Sequence, residues 1–117
     1  MQHPEVESLD RDGILKVQRE GLAGLGARLA QCDAWKAHFA EAGMKPEDLA
    51  SEDGLANAPF MDKSLLRDRY PFPFLTVPME KVERFVAASG TTGLPVTFGM
   101  TKNDLHGLLP YQMARLL

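Results

Sequence analysis

Four prolines in one short stretch constrain this chain more than any other feature. Pro59, Pro71, Pro73 and Pro78 are interleaved with Phe60, Phe72, Phe74 and Val77. Each proline fixes its own φ, removes a backbone N–H donor and pushes the preceding residue out of the helical region. Long regular structure is therefore precluded between residues 59 and 78. The large apolar side chains in turn argue against a solvated linker, because they gain by burial. The expectation is an ordered, extended segment lying across a core. A proline-rich ligand for a recognition domain is the weaker reading, for the same reason of burial.

On either side of that segment the sequence changes character. Residues 1–53 hold eleven acids and six bases, giving −5, whereas residues 54–117 hold five acids and seven bases, giving +2. The acidic part is the helical part. From Arg11 to Gln31, Leu15, Leu22 and Leu29 recur every seven residues with Leu25 between them on one face, which predicts an amphipathic helix. Gly13, Gly21, Gly24 and Gly26 each weaken it, so packing has to hold it, and small residues on one face admit a close neighbour. Asp33 is expected to cap a short helix that buries Trp35 and Phe39 and ends at Gly43. Pro46 opens a further turn over Glu47 to Ala50, Ser51 is expected to cap another through Leu55, and Asp62 one over Leu65 and Leu66 towards Tyr70. His38 is expected at the surface and His106 facing solvent; the cluster Arg67-Asp68-Arg69 is expected to be a solvated face.

Beyond the prolines the period changes from helical to alternating. Glu83 to Ala88 reads as a strand with Phe85 and Ala87 on one side and Arg84 and Val86 on the other, and Val96 to Met100 reads as a second. Thr101 can cap a final helix with Asp104 near its positive end, and Pro110 is expected to kink that helix. The fold class expected is therefore α+β. Residues 1–58 form a helical part, 59–82 an extended proline and aromatic segment with one helix, and 83–117 a strand–loop–strand–helix element. All three are taken as one partial domain.

The strands are joined by Ser89-Gly90-Thr91-Thr92-Gly93-Leu94-Pro95. Two glycines permit close backbone approach, and Ser89, Thr91 and Thr92 supply three hydroxyls. A concave run of N–H and hydroxyl donors is what a polyphosphate requires, although a glycine- and threonine-rich hairpin turn has the same composition. The mononucleotide loop is excluded, since Val96 stands where its lysine would be, and the dinucleotide fingerprint is absent.

The order of these residues resembles the phosphate-binding signature of the AMP-forming adenylating superfamily, which includes the acyl-CoA synthetases. Pro59-Phe60-Met61-Asp62-Lys63, Leu66-Arg67-Asp68, Tyr70-Pro71-Phe72 and Thr76-Val77-Pro78 look like the segment that precedes this loop in phenylacetate–CoA ligases. Gly99-Met100-Thr101 and Asn103-Asp104-Leu105 look like the segment after it. The resemblance runs from about Leu22 to the end. It implies a two-step reaction in which ATP, with Mg²⁺, and an aryl carboxylate such as phenylacetate give an acyl-adenylate and pyrophosphate. Coenzyme A then takes the acyl group and AMP leaves. By the same resemblance Ser89, Gly90, Thr91, Thr92 and Gly93 hold the β- and γ-phosphates. The family commonly has lysine where this chain has Leu94, which leaves Lys63 and Lys102 as the substitutes to consider.

The resemblance also implies that the chain is an N-terminal fragment of the larger ligase domain. The run Tyr111 to Leu117, helical in pattern and without a stop signal, agrees with such a cut. On this view the chain carries no catalytic residue or metal ligand of its own and is inactive alone. Exposed strand edges or exchange of the last helix would then favour a homo-oligomer. The rival reading is a stand-alone helical interaction module, or a truncated gene product, with a non-functional loop. With a net charge of −3, nucleic acid is not expected as a partner. No membrane span or signal peptide is recognisable, so a cytoplasmic location is expected. Cys32 has no disulfide partner in the chain and reads as a small half-buried apolar residue.

Overall fold

The computed structural model describes residues 4–69, 72–88 and 95–108. Two compact units divide the chain, Met1–Phe60 and Met61–Leu117. The fold is α+β, with short helices and a two-stranded antiparallel sheet.

The first unit contains α1 (Pro4–Glu7), α2 (Arg11–Leu29), α3 (Asp33–Glu41), a 3-10 turn (Pro46–Ala50) and α4 (Gly54–Asn57). Asp10 starts α2 by accepting a hydrogen bond from the Gly13 N–H at 2.8 Å, satisfying one of the donors a helix start leaves open. The heptad leucines divide along the helix. Leu29 is buried with Phe39 and Leu49, and Leu22 packs against that cluster, but Leu15 and Leu25 remain exposed. Leu25 therefore does not share the covered face of Leu22 and Leu29, and Leu15 lies beyond it.

What covers it is backbone. A Cβ on Gly26 would fall 2.5 Å from the Pro46 carbonyl oxygen and 3.1 Å from the Glu47 Cα. The 3-10 turn therefore crosses α2 where the side chain is missing. Gly21 and Gly24, by contrast, face open space. The close approach expected of these glycines is found at Gly26, where the neighbour is the short 3-10 helix Pro46–Ala50.

Three local expectations are corrected. Cys32, extended in conformation, occupies the cap position of α3, and Asp33 is its first residue. Asp33 pairs instead with Lys36 one turn on, at 2.6 Å. That hydrogen bond, and then the ammonium charge, hold the Asp33 carboxyl below its usual range and raise Lys36. Ser51 does not cap α4 either; its hydroxyl donates to the Asp48 carbonyl at 2.7 Å, closing the turn before it. His38 is buried rather than exposed, with its ring edge-on to Trp35 and Phe39 at centroid distances of 6.1 and 6.4 Å. Positions 35, 38 and 39 share one face of a helix, so a core that takes Trp35 and Phe39 takes His38 as well.

The end of α3 follows the expected chemistry. Gly43 adopts φ +71°, the Met44 N–H donates to the Phe39 carbonyl, and the Gly43 N–H donates to the Ala40 carbonyl. This pair of bonds satisfies carbonyls that the helix end leaves open, and it needs a left-handed residue that glycine supplies without a Cβ clash.

The second unit contains α5 (Lys63–Asp68), a 3-10 turn (Met79–Lys81), β1 (Val82–Ala88), β2 (Val96–Thr101) and a π-helical turn (Asp104–Leu108). Asp62 caps α5 as expected, accepting from the Leu65 N–H at 2.9 Å and from the Ser64 hydroxyl at 2.6 Å. Residues 72–78 carry neither helix nor strand, and 72–77 are half-buried. Phe60 departs from the expected burial, since it is 98% exposed at the boundary of the first unit. Among the described residues no helix is long and apolar enough to cross a membrane.

The two kinds of helical glycine should respond oppositely to an added methyl group. Gly24→Ala is expected to raise stability by about 0.5–1 kcal/mol, because it gains helix propensity in open space. Gly26→Ala is expected to lower it by about 1–3 kcal/mol, because the Pro46 carbonyl must move. Urea unfolding followed by far-ultraviolet circular dichroism measures both, and equal signs would remove the case for a close backbone crossing.

Candidate functional site

The expected phosphate-loop residues Ser89, Gly90, Thr91, Thr92 and Gly93 lie outside the described residues, as do Leu94, Pro110 and Tyr111–Leu117. What is described is the frame from which the loop springs. β1 and β2 pair antiparallel through Arg84↔Met100, Phe85↔Gly99, Val86↔Phe98, Ala87↔Thr97 and Ala88↔Val96. The last pair closes the ladder. In sequence, residues 89–95 lie between these paired ends.

Alternation places Phe85, Ala87, Thr97 and Gly99 on one face of the sheet, and Arg84, Val86, Phe98 and Met100 on the other. Residues of the proline segment pack on part of the first face, although Phe85 itself stays 48% exposed. Phe72 stacks on Phe85 with ring centroids 4.7 Å apart and planes 28° from parallel. Directly across from Phe85 stands Gly99, where a Cβ would lie 3.1 Å from Leu75 Cδ1 and 3.2 Å from Val82 Cγ1. Val96, the first residue of β2, is 4% exposed and anchors the ladder at its loop end.

A cavity of about 170 Å³ opens beside this packing, lined by Leu66, Phe72, Phe74, Thr76, Thr97 and Phe98 among others. Its described lining carries no charged side chain, so it offers nothing to neutralise a phosphate. Lys63 and Lys102 are both exposed. Among the described residues no group of three or more His, Cys, Asp or Glu could hold a metal ion. His106 is exposed, as expected.

At the far end of the hairpin Thr101 and Asp104 cap each other. The Thr101 N–H and hydroxyl both donate to Asp104 Oδ2, at 2.7 and 2.8 Å, and the Asp104 N–H donates to the Thr101 hydroxyl at 3.3 Å. This reciprocal box ends β2 and starts the helical turn that follows. The sequence shows Thr101 and Asp104 as a cap directly. It does not show the Phe72–Phe85 stack, because the two rings are brought together by a turn that no local pattern specifies. Phenylalanine facing glycine across a hairpin is the signal that could have found it.

No family model matches the chain. Among curated proteins it is 41% identical over 106 residues to the phenylacetate-coenzyme A ligase of Thermus thermophilus, covering 90% of this chain and 24% of that protein. It is 46% identical over 72 residues to the phenylacetate-coenzyme A ligase of Pseudomonas putida, covering 62% of this chain and 16% of that protein. The ligase of the same name from Escherichia coli is 44% identical over 71 residues, again 16% of its length. The chain thus spans a quarter or less of the curated relatives it matches.

Removing the Asp104 carboxylate should open the box at the far end of β2. Asp104→Ala is expected to cost about 1 kcal/mol of stability and to shift the Thr101 amide resonance towards a solvent-exposed value. An unchanged Thr101 amide in a proton–nitrogen correlation spectrum would show that the carboxylate is not its acceptor.

Proposed function

We propose that this chain, a partial phenylacetate-coenzyme A ligase, contributes the loop that holds the β- and γ-phosphates of ATP while a carboxylate is activated. The observation that carries the reading is the register that ends at Ala88↔Val96. Ser89-Gly90-Thr91-Thr92-Gly93 fall in sequence between these paired residues, which supports the reading. Similarity to phenylacetate-coenzyme A ligases over 106 residues supports the same reading.

The chemistry fits such a loop. An oxygen of the carboxylate attacks the α-phosphorus of ATP, the bond to the bridging oxygen breaks, and pyrophosphate leaves with the electron pair. Mg²⁺ travels with the nucleotide. Backbone N–H groups and the hydroxyls of Ser89, Thr91 and Thr92 would orient the leaving pyrophosphate and offset the charge it gathers. Donors held in place before a reaction stabilise a developing charge without reorganising. The thiol of coenzyme A then attacks the acyl carbon of the adenylate, and AMP departs. The aryl carboxylate and coenzyme A belong to the reaction of the whole ligase, of which this chain corresponds to about a quarter.

Leu94 makes the donors more important. With an apolar residue where the family commonly has lysine, binding rests on N–H and hydroxyl donors rather than on a formal charge.

Calorimetric titration of the chain with Mg-ATP and with pyrophosphate tests the loop. Thr91→Ala and Thr92→Ala are each expected to weaken binding about tenfold or more, the usual cost of losing a hydrogen bond to a charged group. Affinities equal to wild type would overturn the assignment. A second measurement concerns turnover. The 117-residue protein with ATP and phenylacetate is expected to release no more pyrophosphate than the Thr91→Ala variant, and release clearly above that control would show that the chain adenylates by itself.

A further inference from the structure

We infer that the cavity beside β2 is a binding site for a small, uncharged, monocyclic aromatic compound. Its lining lies within the second unit and comes from α5 at Leu66, from the proline segment at residues 72–76, and from β2 at Thr97, Phe98 and Gly99. All of these are half-buried except Phe98, which is 45% exposed. The space therefore communicates with solvent, and a ligand has a way in. It stays open for reasons of sequence. Gly99 contributes no side chain, and Leu75 already stands within 3.1 Å of where its Cβ would be. The Phe72 ring is engaged in its stack on Phe85. Pro73 fixes its own φ and restricts Phe72 before it, so the segment has little freedom to collapse into the gap.

Size, charge and wall chemistry set the class of ligand. The volume is about 170 Å³, close to the roughly 150 Å³ at which an apolar protein cavity accepts benzene. Cofactors and other large ligands take pockets of about 300–1,000 Å³, so ATP and coenzyme A do not fit. None of the lining residues carries a charge, and an ion would lose water there without a compensating partner. An aryl carboxylate is therefore disfavoured against a neutral ring, which separates this site from the proposed activation reaction. Phe72, Phe74 and Phe98 supply aromatic walls. Against them a flat ring gains offset or edge-on contacts that an aliphatic ring of equal size lacks. Thr76 and Thr97 carry the hydroxyls of the lining, so a single polar substituent on the ring is matched in kind. Water beside aromatic walls finds few partners, and its displacement by an apolar group adds to affinity.

Phenol, uncharged at neutral pH, is the probe. It is titrated into the 117-residue protein beside cyclohexanol and phenylacetate, and proton–nitrogen correlation spectra follow each titration. Saturable phenol shifts are expected at the amides of Leu66, Thr76, Thr97 and Gly99, with the first unit unmoved. Cyclohexanol and phenylacetate are each expected to bind about threefold or more weakly than phenol. Leu66→Phe adds bulk to the lining from α5 and should weaken phenol binding about tenfold or more. Should that variant fail to fold, Phe98→Leu removes an aromatic wall at an exposed position and should weaken phenol about threefold. Phenol shifts spread over both units without saturation would overturn the site, as would affinities of the folded lining variants equal to wild type. Phenylacetate bound as tightly as phenol would overturn the uncharged class, and cyclohexanol bound as tightly would overturn the aromatic one. No arm of the experiment contains ATP, so its result stands apart from the phosphate role.

Discussion

A two-stranded ladder pairs each strand on one edge only. The outward N–H and C=O groups of both strands and at least one sheet face must then find partners elsewhere or meet water. The second unit is organised around that deficit. Its strands run Val82–Ala88 and Val96–Thr101, and three different devices hold them. Val96 is buried at the loop end, the Phe72 ring and Leu75 cover the middle of one face, and Thr101 and Asp104 fasten the other end. Both faces remain partly open: Phe85 on one and Val86 and Phe98 on the other are exposed, while Val96, on the same face as Phe98, is buried. The prolines are central here, since a segment barred from helix and sheet is free to lie across a sheet as a cover.

The first unit resolves a comparable problem by omission. Its core is small, with Leu29, Phe39 and Leu49 at its centre, and no large side chain reaches from α2 across to the 3-10 turn at Gly26. Removing the side chain brings two backbones into contact and lets the turn deliver Leu49 onto Leu29 and Phe39. A glycine in mid-helix normally weakens the helix. At Gly26 that local loss is offset by burial it makes accessible, whereas Gly24, facing open space, has no such compensation.

How much of this was legible follows from the range of each interaction. Asp10, Asp62 and the Thr101–Asp104 pair act within three residues, so the sequence displays both partners together. Gly43 ends α3 for an equally local reason. The strands and their alternation were legible because period-2 patterning reports burial directly. Asp33 and Ser51 misled because a carboxylate or hydroxyl at a helix start has several partners within reach, and Lys36 and the Asp48 carbonyl take them. His38 misled because its burial depends on how wide a face α3 turns to the core, which Trp35 and Phe39 alone do not reveal. The Phe72–Phe85 stack joins residues thirteen apart across a turn, beyond any local pattern. The reading of residues 89–95 as a phosphate loop rests on the order of those residues, since their composition alone fits a simple turn equally well.

Under the proposed phosphate role, Leu94 bears on what the connection between β1 and β2 would require. A lysine is a mobile point charge that tolerates displacement, because Coulomb attraction falls off slowly with distance. Hydrogen bonds from N–H and hydroxyl groups fade steeply once distance and angle depart from their optimum. A loop that relies on donors therefore needs its two ends held more accurately than one that relies on charge. Ala88 and Val96 are those ends, and Val96 is the most completely buried residue of either strand. On the proposed role, where charge does not compensate for misplacement packing must prevent it, and Val96 supplies that packing on β2 whereas Ala88 on β1 is exposed.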